Sequence, residues 1–525
     1  MLRALLPDVR QRLFLSGLSL IGLALILIAT SKYGAGVSSD AARNLSTADS
    51  LRMGMGLVDM LGSPLVLWPP LYPLLLAGLG ILTTLDTFVV AWYLNVVLYG
   101  LNIWLAGWLL YSIFRAAPFY AVAGTLIVLL SRSMLRIHAN VASEPLFETL
   151  MLVFLLSAAG YLRDGSRRSL WVLCGAAGLA ALQRYLGVAL LAVAALVILR
   201  RDGRRGFVIG VLPWLAAGAP ITAWALLHNL PVSGTLFGPR ELGAMLPLQN
   251  ISLSLTKILW WFVPRWGVLD WLLLRPWLPL SFLAALLLLF NTRRDWLAWL
   301  KALSGEFVWP GLLFGGLYFI LLAFTVVTSD HLDLTSDRYY IVLLPIVLVL
   351  TFITLDRLVL NHVANRPGRT SLVLAGLFAV WSVYPLFAMQ SYLQQALVQG
   401  EPTNYNIANS ANFREMSVVK AAERILQESP DAVVYSNYVN IVWFIFDHPV
   451  KVLPFENESL PRDQRLAALE HNYPNWPETP GYIVWFIPNQ YHHSAAPDEL
   501  ASIADLSLLF EDDTGQVFSL RRRGE

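Results

Sequence analysis

The stretch GVSSDAARNLSTADSLRMG, residues 36 to 54, follows directly on the apolar run LFLSGLSLIGLALILIAT and sets Asp40 at the head of a polar, helix-prone segment. A carboxylate held there can take a proton from a hydroxyl as a general base, or it can cap the helix by accepting from backbone N–H groups. A second stretch, SRSMLRIHANVASEPLFETL at 131 to 150, brings Arg132, Arg136, His138 and Glu144 to one chain turn, with Pro145 suited to the first turn of the next helix. Glu144 is the second candidate catalytic carboxylate; its plainer role is to stabilise that helix N-terminus through the dipole. His138 and Glu144, six residues apart, make a weak metal pattern, and His138 is kept as a substrate contact only. A third stretch, SDHLDLTSDRYYIVLLP, gathers Asp330, His331, Asp333, Asp337 and Arg338. It reads either as a solvated connector or as a phosphate site, since a guanidinium binds phosphate oxygens in a fork while Tyr339 and Tyr340 lie at the interface. Arg184, in GLAALQRYLGVALL, joins this set because an Arg at bilayer depth costs about 2.5 to 3.5 kcal/mol and so should face a cavity, a partner or an interface.

The elements that must position these residues are membrane helices. The chain has 525 residues, 57% of them hydrophobic and only 14% charged, and a mean hydropathy of +0.59, far from a soluble globular average. Its apolar runs approach the roughly 20 residues needed to cross a hydrocarbon core. The single Cys, Cys174, lies inside one of them, which excludes a disulfide framework and a Cys-based metal site. Residues 390 to 525 hold 18 of the 35 acids but 9 of the 37 Lys and Arg, so this tail is about −9 and reads as a separate soluble domain after a membrane domain at 1 to 389. The membrane part carries 28 basic against 17 acidic side chains, as suits cationic inner loops and an anion site.

Six Arg-rich segments, around Arg3 to Arg12, at Arg115, and in RDGSRR, RRDGRR, NTRRDWLAWLK and DRLVLNHVANRPGR, hold 17 of those positive charges and are placed inside. The spacing then predicts eleven spans, at 13 to 31, 87 to 113, 117 to 133, 145 to 161, 169 to 183, 186 to 199, 206 to 228, 274 to 290, 308 to 328, 339 to 355 and 371 to 388. Residues 69 to 85 are left as a helix in the outer leaflet or a short span. Asp40, Glu144, Arg184 and Arg338 then fall on the outer side, together with the tail. The face Ala42, Leu45, Ala48 and Leu51 predicts that the segment after Asp40 lies along the interface. In the tail, FREMSVVKAAERILQES reads as a helix, DAVVYSN, PVKVLP and GYIVWFI as strands, YVNIVWFIF as ambiguous, and LSLLF with QVFSL as a terminal hairpin, which together suggest a small α/β layer.

An acid in the first outward loop, an interfacial helix, PPLYP, a second acid in SEPLF, RYLG and a late RYY…LP resemble the GT-C membrane glycosyltransferases, in the branch of protein O-mannosyltransferases and bacterial aminoarabinose transferases. The resemblance covers residues 13 to 355 in order. It implies an all-α polytopic membrane bundle with an extracytoplasmic α/β domain, in a bacterial or archaeal plasma membrane. It further implies transfer of a sugar, with inversion, from a polyprenyl-phosphate donor to an acceptor glycan, lipid or protein. In these terms Asp40 is the general base with Glu144 as second catalytic residue, Arg338, Arg184 and Tyr339 hold the donor phosphate and lipid, and His138, Tyr72 and Tyr185 touch substrate. Ala41 and Asn44 stand where the family often has a second acid and a Tyr, and the WWDYG motif of oligosaccharyltransferases has no counterpart beyond WWF at 260.

No P-loop, well-placed GxGxxG or Asp-x-Asp points to nucleotide-sugar chemistry or to nucleic acid, and no cofactor is indicated, a divalent metal being possible without a motif for it. The Trp-rich, basic stretch 249 to 277, with Lys257, Arg265 and Arg275, reads as a headgroup anchor that can wall the donor groove. The competing class is a transporter or flippase for an anionic lipid-linked substrate. Such proteins set ionisable residues at the bilayer midplane on broken helices, whereas here they cluster in outward loops.

Overall fold

The computed structural model describes residues 7–239, 256–262, 293–327, 336–363, 367–403, 406–454, 460–487 and 494–524. The span expected at 274 to 290, together with Arg265, Arg275, Asp330, His331 and Asp333, lies outside these residues.

The apolar runs form helices: α1 Val9–Ala29, then after the polar α2 Ser39–Arg52 the series α3 Leu71–Thr83, α4 Thr87–Ile113, α5 Pro118–Leu130, α6 Arg132–His138, α7 Glu144–Asp164, α8 Arg167–Gln183 and α9 Val188–Ala223. Helices Arg293–Leu303, Trp309–Val327, Leu344–Val363 and Pro367–Gln399 follow. Among the described residues six helices have the length and hydropathy to cross a membrane, and the pair α5 and α6, bent by 52°, makes a seventh if it is one span. Length and composition therefore do not reach the expected eleven. α3 has 13 residues, about 20 Å of helix against a hydrocarbon core of about 30 Å. The expected spans 186 to 199 and 206 to 228 are the two arms of α9. Gly203 sits between them at φ 62° and ψ −165°, a conformation that only glycine adopts readily. The indole N–H of Trp214 donates to the carbonyl of Leu191 at 2.8 Å, a contact that a continuous helix 23 residues long would forbid, so the chain folds back at Gly203.

The packing falls into two units. The first comprises residues 1–28, 66–72 and 93–394, the second residues 29–65, 73–92 and 395–525. In the second unit the first loop is bound to the tail through main-chain groups: Ile407 N–H donates to Val37 O at 2.9 Å, Val37 N–H to Asn406 Oδ1 at 3.0 Å, and Asn409 Nδ2 to Tyr33 O and Ala35 O at 2.6 and 2.8 Å. α2 is buried on most sides, Asn44, Ser46, Thr47 and Ser50 included. Its apolar face, Ala42, Leu45 and Ala48, is thus covered by protein, where the sequence suggested contact with a lipid interface.

The tail carries a five-stranded sheet in the order β2-β1-β3-β5-β4, with β1 Val433–Ser436, β2 Val450–Val452, β3 Gly481–Phe486, β4 Ala504–Asp512 and β5 Gly515–Arg522. β1 pairs in parallel with β2 and β3, while β5 runs antiparallel to β3 and β4. The lack of alternation in GYIVWFI fits β3 at the centre, where both faces are covered. YVNIVWFIF resolves as the helix Val439–Phe446 between β1 and β2. The hairpin turn forms because Asp512 Oδ1 accepts from the N–H groups of Thr514 and Gly515 at 2.9 and 3.2 Å.

Candidate active site

In the first unit, three chain turns converge on Glu144. Ser131 caps α6 by accepting from Met134 N–H at 3.3 Å, and the chain turns again before Glu144 and Pro145 open α7. At the end of α8, Arg184 is extended, with φ −150° and ψ 138°, and leads into a single 3-10 turn, Tyr185–Gly187. A Cβ at Gly187 would lie 2.1 Å from Ala180 O, so RYLG closes onto α8 only with glycine there. This turn delivers Arg184 to the start of α7, where its Nη1 lies 2.6 Å from Glu144 Oε1 and donates to Ser143 Oγ at 2.9 Å. Gln183 Nε2 donates to Ser143 O at 2.9 Å.

The third turn, Asp337–Tyr339, is also 3-10. Tyr318 donates to Tyr339 O at 2.8 Å and the Ser133 hydroxyl donates to the Asp337 carboxylate, which ties this turn to two other helices. It brings Arg338 Nε to 3.6 Å from Glu144 Oε1, while Arg338 Nη2 donates to Tyr339 Oη at 3.0 Å and the guanidinium lies 4.8 Å from the centroid of that ring. The Glu144 side chain is 4% exposed and each arginine side chain 17%. Burying a carboxylate is costly unless it is paired, and the two arginines supply the partners. Two guanidiniums and one carboxylate sum to +1, so the cluster offers forked N–H donors and positive charge to a phosphate.

Of the expected site residues, Glu144, Arg184, Arg338 and Tyr339 thus come together. Tyr72 is 1% exposed and within electrostatic reach of Glu144. Tyr185 stands in a separate knot: its hydroxyl accepts from Asn229 Nδ2 at 2.7 Å and Trp224 Nε1 at 3.3 Å and donates to Val66 O at 3.0 Å, which uses its full capacity. His138 is fully buried. Its Nδ1 donates to Met134 O at 2.8 Å, so its Nε2 accepts from Asn102 Nδ2 at 3.1 Å, and both nitrogens have partners within the core. Among the described residues no group of three His, Cys, Asp or Glu could hold a metal ion. Of the Trp-rich stretch, 256–262 is described, and Lys257 Nζ lies 4.5 Å from the Trp260 ring centroid.

In the second unit, Ser38 and not Asp40 caps α2, its hydroxyl accepting from Ala41 N–H at 3.2 Å. Asp40 is half-buried in the first turn. The capping role that competed with catalysis is therefore filled by a neighbour. Sequence reasoning passed over Ser143, Gln183 and Tyr318, which orient the arginines and their turns. Tyr318 sits inside an apolar run and gives no signal of its own. The adjacency of Gln183 to Arg184 is the one cue that the end of α8 turns inward.

Neither a protein-family model nor a curated protein matches the sequence. Solved structures do match its fold. ArnT from Cupriavidus metallidurans in the apo state superposes with a TM-score of 0.58 at 14% identity, over 96% of this chain and 97% of that one. The same protein bound to undecaprenyl phosphate gives 0.57 at 14%, over 98% of both chains. The archaeal oligosaccharyltransferase AglB from Archaeoglobus fulgidus, in complex with an inhibitory peptide and a dolichol-phosphate, gives 0.51 at 11%, over 97% of this chain and 74% of that one.

Proposed function

Since the chain has the fold of the GT-C membrane glycosyltransferases, we propose that it is an integral-membrane glycosyltransferase that moves a sugar from a polyprenyl-phosphate donor to an acceptor hydroxyl on the non-cytoplasmic face. The observation that carries this reading is the buried Arg184–Glu144–Arg338 cluster, in a fold whose solved relatives were captured with undecaprenyl phosphate and with dolichol-phosphate. In the reaction the acceptor oxygen attacks the anomeric carbon opposite the phosphate. The bond from that carbon to the phosphate oxygen breaks, its electron pair leaves with polyprenyl phosphate, and the configuration inverts. Arg184 and Arg338 hold the phosphate and carry the charge that develops on it, and Asp40 takes the acceptor proton. Glu144 Oε1 is engaged by both guanidiniums, at 2.6 Å from Arg184 Nη1 and 3.6 Å from Arg338 Nε. In this reading it is a positioning residue for the two arginines, a change from its expected catalytic role.

The topology that goes with this function keeps the eleven crossings, the inner Arg clusters, and an acidic domain at 390 to 525 outside the cytoplasm, where it shapes acceptor access. Purified protein is mixed with radiolabelled polyprenyl-phosphate sugars and membrane extract. Release of polyprenyl phosphate with label in an acceptor is the expected result. Movement of intact donor across a vesicle membrane, with no release, would make the protein a flippase.

A further inference from the structure

At the other end of α7, Arg163 stands 19 residues after Glu144, about 28 Å along the helix. It lines a cavity of about 490 Å³ together with Arg115, Arg357, Glu306 and Asp356. Phe114, Phe307 and Ile353 give the same cavity apolar walls. The lining thus holds three guanidiniums and two carboxylates, and Arg163 also donates to Asp164 from Nε at 3.0 Å and Nη2 at 3.3 Å. Two of these arginines have an ordinary explanation: Arg115 follows the end of α4 and Arg163 is in the last turn of α7, where cations offset the helix dipoles. Arg357 lies well inside the helix Leu344–Val363, and that account does not reach it. Nor does it reach Ser112, which also lines the cavity, is 8% exposed, and has a hydroxyl with no hydrogen-bond partner among the described residues. A helical serine normally donates to the carbonyl four residues back. A buried hydroxyl left without a partner is costly, and a ligand acceptor in the cavity would relieve that.

We propose that this cavity binds a phosphate group, borne by an anionic lipid headgroup or free in solution, with Arg163, Arg357 and Arg115 around its oxygens and the Ser112 hydroxyl donating to one of them. The apolar walls suit the glycerol and first acyl carbons when the source is a lipid. The site is distinct from the Glu144 cluster, and its occupancy is independent of whether the transfer reaction is the one proposed.

The test uses the full chain in detergent with phosphatidate or phosphatidylcholine, bound lipid being counted by native mass spectrometry, and with inorganic phosphate as competitor. Wild type is expected to retain phosphatidate at least about tenfold over phosphatidylcholine. Arg338→Ala should keep this preference, which separates the cavity from the Glu144 cluster. Arg357→Gln should lose it, and Ser112→Ala should weaken retention about threefold or more. Displacement by millimolar phosphate assigns the site to a soluble phosphate, and failure to displace assigns it to the lipid; both support the proposal. Absence of any preference in wild type would overturn it. So would a Ser112→Ala protein with unchanged retention and a raised melting temperature, since the hydroxyl would then be an orphan and nothing more; this variant decides if Arg357→Gln does not fold.

Discussion

Arg184 Nη1 stands 2.6 Å from Glu144 Oε1, an ion pair that fastens the end of α8 to the first residue of α7. Its partner Arg338 reaches the same oxygen at 3.6 Å from a different turn. One carboxylate thereby aligns two guanidiniums that are far apart in sequence. Replacing either arginine with Ala should weaken polyprenyl-phosphate binding by about 1.5 to 3 kcal/mol, the range for a charge-assisted hydrogen bond. Equilibrium binding of the lipid phosphate measures this, and unchanged affinity in both variants would remove the cluster from donor recognition.

Glu144→Gln separates positioning from base catalysis. The amide keeps the shape and loses the charge, so two buried guanidiniums lose their common counter-ion and the melting temperature should fall; breaking a buried pair costs about 3 to 5 kcal/mol. Donor affinity should drop with it, while turnover at saturating donor stays within about tenfold of wild type. A loss of about 100-fold or more in turnover, at unchanged donor affinity, would restore Glu144 as the proton acceptor.

A pH effect is expected from Asp49 in α2. Burial pushes its carboxyl up to about 6, against the bond it accepts from the Thr87 hydroxyl, a contact of 2.8 Å. The unfolded chain releases this proton near the ordinary Asp value of about 3.9. Between the two values the folded state holds the extra proton, so stability falls as pH rises through that window. Asp49→Asn should keep the Thr87 bond and flatten this decline, so that the variant gains on wild type as pH rises from 4 to 7. Thermal unfolding of both proteins across that range gives the comparison, and parallel curves would contradict it.

Orientation is open to labelling, because the single native cysteine, Cys174, is buried and gives little background. Gln427, the exposed last residue of the helix Ser417–Gln427, is a suitable position. Gln427→Cys should react with a membrane-impermeant maleimide in intact cells. Reaction only after lysis would place the tail inside and remove the outward assignment of Asp40.

Much of the helical framework was legible because apolar run length is a direct consequence of bilayer thickness: Thr87–Ile113 and Glu144–Asp164 lie almost where the hydropathy places them. The tail strands were legible too, through β-branched runs and the short polar turn between LSLLF and QVFSL. Their order was not, since the parallel pairing of β1 with β2 and β3 is set by crossovers that local pattern does not encode. At the site, residue types pointed to Glu144, Arg184 and Arg338, but pattern alone could not say that one carboxylate would sit between both arginines. The α2 cap was misread for a local reason: Ser38, Ser39 and Asp40 are all good capping residues, and which one caps depends on where the main chain becomes helical. That in turn is fixed by Asn406 and Asn409, more than 360 residues away.

Whether Asp40 is the base of an inverting sugar transfer is decided by Asp40→Asn in the polyprenyl-phosphate release assay, with melting temperature and donor binding measured on the same preparation. Because Ser38 makes the cap and Asn is isosteric with Asp and ranks with it at helix starts, the substitution should leave the start of α2 formed and donor affinity unchanged. Release should fall by about 100-fold or more. Near-wild-type release from a folded, donor-binding Asp40→Asn protein would contradict it.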